Sequence, residues 1–302
     1  MSNLLVLLLC VLYSFQSAFC NMYSKNYPGD KKLTSPIFSV FYGLIVSVAT
    51  LIFSGFAFAP STATVILGIL NGAVLVLYNM MLIKASDNGP FSIVMIFNLG
   101  GGILIPMFWS IAVDGTKLSL LQYLAIALML ISFVFLNVEG KSKSTAGDDG
   151  KKVSAKFIIF TILLGLANGI YGTLLNMQKN VMAGLESADM IIGTFASSSV
   201  LAFILLLITA GRNAIPGFKQ NLKSAVYMIA ASVSAAAAVN VLMHALGLIN
   251  VAVLYAMDNG GVLLISVLFS VVFFKERLSR NKLIGLVLAT IAIFALGILQ
   301  AA

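Results

Sequence analysis

The residues of this sequence most able to do chemistry are polar side chains inside long apolar runs. Asp258 is the only carboxylate well inside such a run. Placing a charged side chain at the centre of a membrane helix costs about 2.5 to 3.5 kcal/mol on insertion scales. A carboxyl group there can take up a proton, bind a cationic group, or serve as a neutral, hydrogen-bonded structural residue. The sequence leaves these alternatives open.

Uncharged polar residues form two matching stripes. Tyr13, Gln16 and Tyr23 recur at spacings of three and seven, which places them on one helical face. An offset of 155 positions maps this stripe onto three further polar residues, Asn168, Tyr171 and Gln178. We expect the two faces to line one central cavity. The alternative is that they make interhelical hydrogen bonds that hold the helices together.

Three more polar residues are candidates for the same cavity, and a further pair is weaker. Tyr255 lies three residues before Asp258, and Asn240 lies one helical turn before His244, the single histidine. Asn98 aligns with Asp258 in the repeat described below, and Asn71 with Tyr78 makes a weaker candidate pair. The predicted substrate cavity contains Tyr13, Gln16, Asn98, Asn168, Tyr171, Gln178, Asn240, Tyr255 and Asp258, with Asp258 as the candidate for proton coupling.

The inventory of reactive residues argues against a metal site, a cofactor site or an enzyme. One histidine and two cysteines, Cys10 and Cys20 in one apolar segment, cannot supply a zinc shell. No acidic cluster suits magnesium, and neither a Gly-x-Ser-x-Gly step nor a phosphate-binding loop occurs. We therefore predict no metal, no cofactor and no enzymatic reaction.

The elements that position these residues must be membrane helices. The 302 residues are 60% hydrophobic and only 9% charged, with a mean hydropathy of +1.06, whereas soluble domains are about 25% charged. At about 20 residues per crossing, the apolar runs predict ten helices and exclude nucleic-acid binding as a primary role. Their predicted ranges are 3–22, 36–58, 61–83, 91–113, 118–138, 156–179, 188–210, 223–246, 250–274 and 281–300.

Basic residues predict the orientation of these helices. Sixteen of the 18 Lys and Arg residues fall in loops after odd-numbered helices, and only Lys117 and Lys179 fall opposite. By the positive-inside rule the odd-numbered loops are cytoplasmic. We therefore predict a multi-pass protein of the inner or plasma membrane with both termini extracytoplasmic. The first apolar segment could also be a signal peptide, but no positive charge precedes it. We therefore predict that it is the first transmembrane helix.

The sequence also repeats itself. An offset of 160 lays Asn98-Leu99-Gly100-Gly101 over Asp258-Asn259-Gly260-Gly261, and Leu118-Ser119 over Leu278-Ser279. Because each copy would hold five helices, the second enters the membrane in the opposite sense, as in the inverted repeats of secondary transporters. The predicted fold is an all-α integral membrane protein with ten transmembrane helices in two inverted five-helix repeats. The repeats occupy 1–140 and 156–302, joined by a polar cytoplasmic linker at 141–155.

One motif carries a resemblance to a known family. The run Phe274-Lys275-Glu276-Arg277-Leu278-Ser279, followed by an apolar helix containing Gly285, resembles the end of an EamA-type member of the drug/metabolite transporter superfamily. The first copy departs from this motif, with Asp114-Gly115-Thr116-Lys117 in the equivalent place. The resemblance implies a carrier of small metabolites, often amino acids or related compounds and often an exporter, with a central cavity between the halves.

These observations predict a secondary transporter of a small polar or zwitterionic metabolite, working by alternating access. Its partners would be the small-molecule substrate and the lipid bilayer, with no nucleic acid. The sequence is compatible with both a monomer and a homodimer. The alternatives are a non-transporting membrane sensor or subunit, and a channel, which the absence of a filter sequence disfavours.

Overall fold

The computed structural model describes residues 2–89, 91–137, 154–182, 184–211, 214–274 and 279–301. All regular secondary structure in these ranges is helical. The eleven helices are α1 (Ser2–Asn26), α2 (Lys31–Phe53), α3 (Thr62–Asn88), α4 (Phe91–Ala112), α5 (Leu120–Asn137), α6 (Ala155–Met182), α7 (Ser187–Ala210), α8 (Ala214–Gly217), α9 (Leu222–Leu246), α10 (Val251–Phe274) and α11 (Arg280–Ala301).

The α2 helix shows where the predicted boundaries are wrong. The Asp30 side chain accepts a hydrogen bond from the Lys32 N–H at 2.9 Å, so the helix starts five residues before its predicted start. It ends at Phe53 because Gly55 and Phe56 both adopt positive φ, at 67° and 63°. Left-handed backbone terminates an α-helix, and it was not visible in the apolar pattern.

Serine side chains cap the starts of two helices. The Ser119 N–H donates to the Gln122 side chain at 2.8 Å, and the Gln122 N–H donates to the Ser119 hydroxyl oxygen at 3.2 Å. This reciprocal capping box starts α5. At α11, the Lys282 N–H donates to the Ser279 hydroxyl oxygen at 3.3 Å. Both caps bind N–H groups that would otherwise lack a partner at a helix start.

Among the described residues, eight helices are long and apolar enough to cross a membrane: α1, α2, α3, α4, α6, α7, α9 and α11. Within the described ranges, α5 and α10 each contribute a shorter apolar stretch, Leu120–Leu136 and Val251–Ile265. The chain is therefore a multi-pass helical membrane protein. Ten spans remain a prediction.

The chain divides into two compact units. Unit 1 contains Met1–Cys10, Leu77–Thr173 and Leu248–Ala302, and unit 2 contains Val11–Val76 and Leu174–Gly247. Each unit takes segments from both halves of the sequence, and α1, α3 and α6 contribute residues to both. The predicted repeats at 1–140 and 156–302 are defined by sequence similarity rather than by packing, and their boundaries stay a prediction.

Unit 1 packs α4 against α10 and α5 against α11. Glycines permit close approach: a Cβ on Gly285 of α11 would lie 2.8 Å from the Leu136 backbone nitrogen. Helix 4 and helix 5 of the first predicted repeat correspond to α10 and α11 of the second. The helices that pack together are thus the counterparts of one another.

Unit 2 shows the same relation between α2 and α7. A Cβ on Gly43 would lie 2.6 Å from the Phe195 carbonyl oxygen, so the two backbones nearly touch. The Ser199 hydroxyl donates to the Val40 carbonyl at 2.7 Å, and the Ser47 hydroxyl donates to the Ile192 carbonyl at 3.3 Å. Hydroxyl-to-carbonyl bonds of this kind bind helices together where no water competes.

Some sequence predictions lie outside the described residues. They include the polar linker up to residue 153 and residues 275–278 of the motif that carries the family resemblance.

Candidate functional site

Unit 1 gathers six polar residues, which we call the polar cluster: Tyr78, Asn98, Asn168, Tyr171, Tyr255 and Asp258. The Asn168 side-chain amide of α6 donates to the Asn98 carbonyl of α4 at 2.8 Å. The Asn98 amide in turn donates to the Tyr78 hydroxyl of α3 at 3.3 Å. Three helices are therefore joined by one chain of hydrogen bonds.

The α10 side of the polar cluster is held by Tyr255. Its hydroxyl donates to the Gly172 carbonyl of α6 at 2.8 Å, and Tyr255 is buried. A Cβ on Gly172 would lie 2.9 Å from the tyrosine ring, so only glycine leaves room for this contact. Tyr171, the residue before Gly172, is close enough to Tyr78 and Asp258 to interact with them electrostatically.

Asp258 is the charged member of the polar cluster. Its side chain is only 8% exposed, and Oδ1 has no hydrogen-bond partner among the described residues. Tyr171 and Tyr255 lie within electrostatic range of the carboxyl group. A buried carboxylate without a full set of partners is costly. A proton or a cationic ligand group would remove that cost, and the tyrosine hydroxyls could share in binding the ligand.

The polar cluster depends on a close crossing between α4 and α6. A Cβ on Gly101 would collide with the Gly165 backbone, and one on Gly102 would lie 2.6 Å from the Asn168 amide nitrogen. Neighbouring Asn259 is anchored on its own helix, because its amide donates to the Tyr255 carbonyl at 2.9 Å. Small residues thus set the distances at which the polar side chains meet.

The other four predicted cavity residues lie in unit 2. The Gln16 amide donates to the Tyr42 hydroxyl at 2.8 Å, and the Asn240 amide donates to the Thr50 hydroxyl at 3.2 Å. Tyr13 is partly buried. Gln178 is fully buried, and neither polar atom of its side chain has a hydrogen-bond partner in the described part of the chain.

The structure therefore brings together five of the nine predicted residues, Asn98, Asn168, Tyr171, Tyr255 and Asp258. A single cavity lined by all nine stays a prediction. Tyr78 was ranked as a weaker candidate, and Gly172 was missed. The adjacent Tyr171-Gly172 pair was the available signal, since a glycine inside an apolar helix often marks the close approach of another group.

A second polar contact lies between the spans of unit 2. Glu186, just before α7, accepts hydrogen bonds from the Ser61 N–H at 2.9 Å and the Ser61 hydroxyl at 2.8 Å. Hydrogen bonding from the Thr64 side chain, and then from the Ser61 backbone, lowers the pKa of the Glu186 carboxyl below its ordinary value of 4.5. The charged form of Glu186 therefore ties the start of α3 to the start of α7.

Comparison with known proteins agrees with the class that the helices define, a multi-pass helical membrane protein. The family described as "Small Multidrug Resistance protein" matches residues 201–289, a segment that contains Tyr255 and Asp258. A solved structure titled "Crystal structure of protein" is similar over 99% of this chain and 97% of its own, with a TM-score of 0.75 and 13% identity. That likeness concerns the fold alone. No curated protein matches. The family match and the membrane-helical fold point to a transporter of small molecules rather than an enzyme.

Proposed function

We propose that this protein is a secondary transporter of a small polar or zwitterionic metabolite, such as an amino acid or a related compound. The observation that carries the proposal is Asp258, a buried carboxyl group whose Oδ1 has no hydrogen-bond partner among the described residues. Membrane proteins bear the cost of such a group chiefly where it binds a substrate or a proton. The neighbouring tyrosines and asparagines supply donors and acceptors for the uncharged parts of a polar ligand.

The proposed mechanism is alternating access between two inverted five-helix repeats, 1–140 and 156–302, joined by a cytoplasmic linker at 141–155. The packing of counterpart helices, α2 with α7, α4 with α10 and α5 with α11, supports this symmetry. Counterparts are expected to meet around the pseudo-twofold axis of an inverted repeat, where substrate sites lie. We assign the chain to the EamA-type drug/metabolite transporters on this ground and on the motif that begins at Phe274.

Asp258 is the proposed coupling group. In its neutral form the carboxyl group releases a substrate amine, and in its charged form it binds one, so that proton and substrate compete for one site. Competition of this kind exchanges protons for substrate across the membrane and drives export. The proposed location is the cell membrane, with both termini extracytoplasmic, as the basic residues of the loops predict.

Transport by the purified protein in proteoliposomes tests the proposal. A panel of amino acids and related metabolites would be screened by counterflow, then by accumulation under a pH gradient. Asp258→Asn should abolish proton-driven accumulation and, because the amide cannot bind a substrate amine as the carboxylate does, should also impair exchange of substrate for substrate. Asp189→Asn is the matched control, because the Asp189 carboxyl group is also buried and its Oδ1 also has no hydrogen-bond partner among the described residues, but it lies in the first turn of α7 and outside the polar cluster.

Two outcomes would reject parts of this proposal. Unchanged accumulation and unchanged pH dependence in Asp258→Asn would reject the coupling role. Absence of counterflow by the wild-type protein across the whole panel would reject a carrier of these metabolites and favour a non-transporting sensor.

A further inference from the structure

An apolar groove runs along unit 1 where α4, α5 and α6 meet, beside the α4–α6 crossing that positions the polar cluster. Its cavity volume is about 440 Å³, within the roughly 300 to 1,000 Å³ of small-molecule sites. The lining is almost wholly carbon. Its rim contains four side chains that are 44 to 45% exposed: Phe97, Val134, Ile162 and Leu166.

The floor of the groove is glycine backbone. Gly101 and Gly165 are in contact there, which closes the groove on the side where Asn98 and Asn168 meet. Gly100 also lines the groove, and a Cβ at that position would have no atom within 4 Å. The missing side chain at Gly100 is therefore not required for helix packing. It leaves open space at the centre of the groove.

The groove favours an apolar occupant over water. Water needs two to four polar partners to occupy a cavity, and this lining offers almost none. An empty space forfeits dispersion contacts with every atom around it. Because α4 and α6 are candidate membrane spans, we expect the rim to face lipid hydrocarbon.

We propose that this groove is a binding site for one acyl chain of a membrane phospholipid. The chain enters past Phe97 and Val134 and lies on the backbone at Gly100 and Gly101. It supports the α4–α6 crossing from the groove side, so a bound lipid stabilises the distances on which the polar cluster depends.

Photolabelling in nanodiscs tests this site. Purified protein would be placed in phosphatidylcholine–phosphatidylglycerol nanodiscs that contain a phospholipid with a diazirine in the middle of one acyl chain. We expect more label on groove residues Leu104 and Leu130, which are partly buried, than on Ile291, which is 52% exposed on α11. Simple contact with the bulk bilayer predicts the reverse order, because exposed side chains meet more lipid.

Two variants distinguish the effect of blocking the groove from a general effect of adding a larger side chain. Gly100→Leu places a side chain in the open space and should lower labelling of Leu104 and Leu130 several-fold while leaving Ile291 unchanged. Ala230→Leu adds bulk at a partly exposed position of α9, in unit 2, and should change none of the three.

The proposal fails if wild-type labelling of the groove does not exceed that of Ile291, or if Gly100→Leu leaves groove labelling unchanged. It also fails if a diazirine fatty acid labels the groove and the phospholipid probe does not, since the source of the chain would then be wrong. The comparison of groove labelling with Ile291 labelling in the wild-type protein needs no variant. It therefore still tests the proposal if Gly100→Leu folds poorly.

Discussion

Adjacent glycines in α4 should respond in opposite ways to the same substitution. Gly100→Ala places a methyl group in open space. Gly101→Ala places it against the Gly165 backbone of α6, with the Gly165 Cα at 2.6 Å. Real Cβ atoms essentially never come within 3.0 Å of a neighbour, and backbone cannot rotate away as a side chain can. The Gly101 variant must therefore push α4 and α6 apart.

The difference in the free energy of unfolding between the two variants follows from two contributions. Replacing glycine by alanine in a helix interior stabilises by about 0.8 to 1.0 kcal/mol, and both variants gain this amount. Overpacking costs about 1 to 3 kcal/mol, and only Gly101→Ala incurs it. Gly100→Ala should therefore be more stable than wild type, and the two variants should differ by about 1 to 3 kcal/mol. By the scaling for folded domains this is roughly 2 to 12 °C in Tm.

Thermal unfolding in detergent measures this difference. The single tryptophan, Trp109, lies in α4 itself, so its fluorescence reports on the helix that carries both substitutions. Gly165→Ala serves as the reciprocal variant, because its Cβ would lie 2.7 Å from the Phe97 carbonyl oxygen of α4. A Gly101→Ala protein as stable as Gly100→Ala would refute the close α4–α6 crossing, and with it the geometry of the polar cluster.

Three further predictions concern function, acid stability and orientation. Gln16→Ala and Tyr171→Phe should each impair transport in proteoliposomes at nearly normal folded yield; loss of folded protein with normal specific activity would instead indicate a structural role. Glu186→Gln should lose less stability on acidification than wild type, because a lowered pKa contributes stability above the ordinary value of 4.5 that is lost as pH falls through the folded-state pKa; parallel Tm curves for both proteins would contradict this. On a cysteine-free background, an impermeant reagent should label a cysteine at residue 2 from outside and leave one in 141–152 protected, and the opposite pattern would reverse the orientation.

Much of the fold was predictable because apolar runs and charge-rich breaks follow directly from the bilayer. Errors arose where turn chemistry rather than hydropathy sets the boundary, as at Phe56, an apolar residue in a left-handed turn after α2. The short helix α8, at Ala214–Gly217, was missed because four residues carry no periodic signal. Residues that cap helices, such as Ser119, were predictable because a capping box is local in sequence.

The sequence indicated which residue types the polar cluster contains, but not which of these residues meet. Helical spacing places Tyr13 and Gln16 on one face, yet spacing says nothing about which helix that face meets. Contacts such as Tyr255 with Gly172 join residues 83 positions apart. A pattern within one helix cannot reveal such contacts. The predicted repeat gave the best indication of which residues meet, since it aligned Asn98 with Asp258. The structure places both in the polar cluster of unit 1.

That pairing also supports a functional interpretation of Asp258. The side-chain Oδ1 atoms of Asn98 and Asp258 are both buried without a hydrogen-bond partner among the described residues. For a neutral amide oxygen the cost of this is about 1 to 3 kcal/mol, and for a charged group it is larger. Packing alone would therefore favour an amide at both positions, and Asn98 shows that an amide fits in the predicted first repeat. The predicted second repeat instead carries the more costly group at the equivalent position. An interaction other than packing must offset this difference in free energy. Binding of a proton or a substrate amine is the interaction that a carboxyl group can provide.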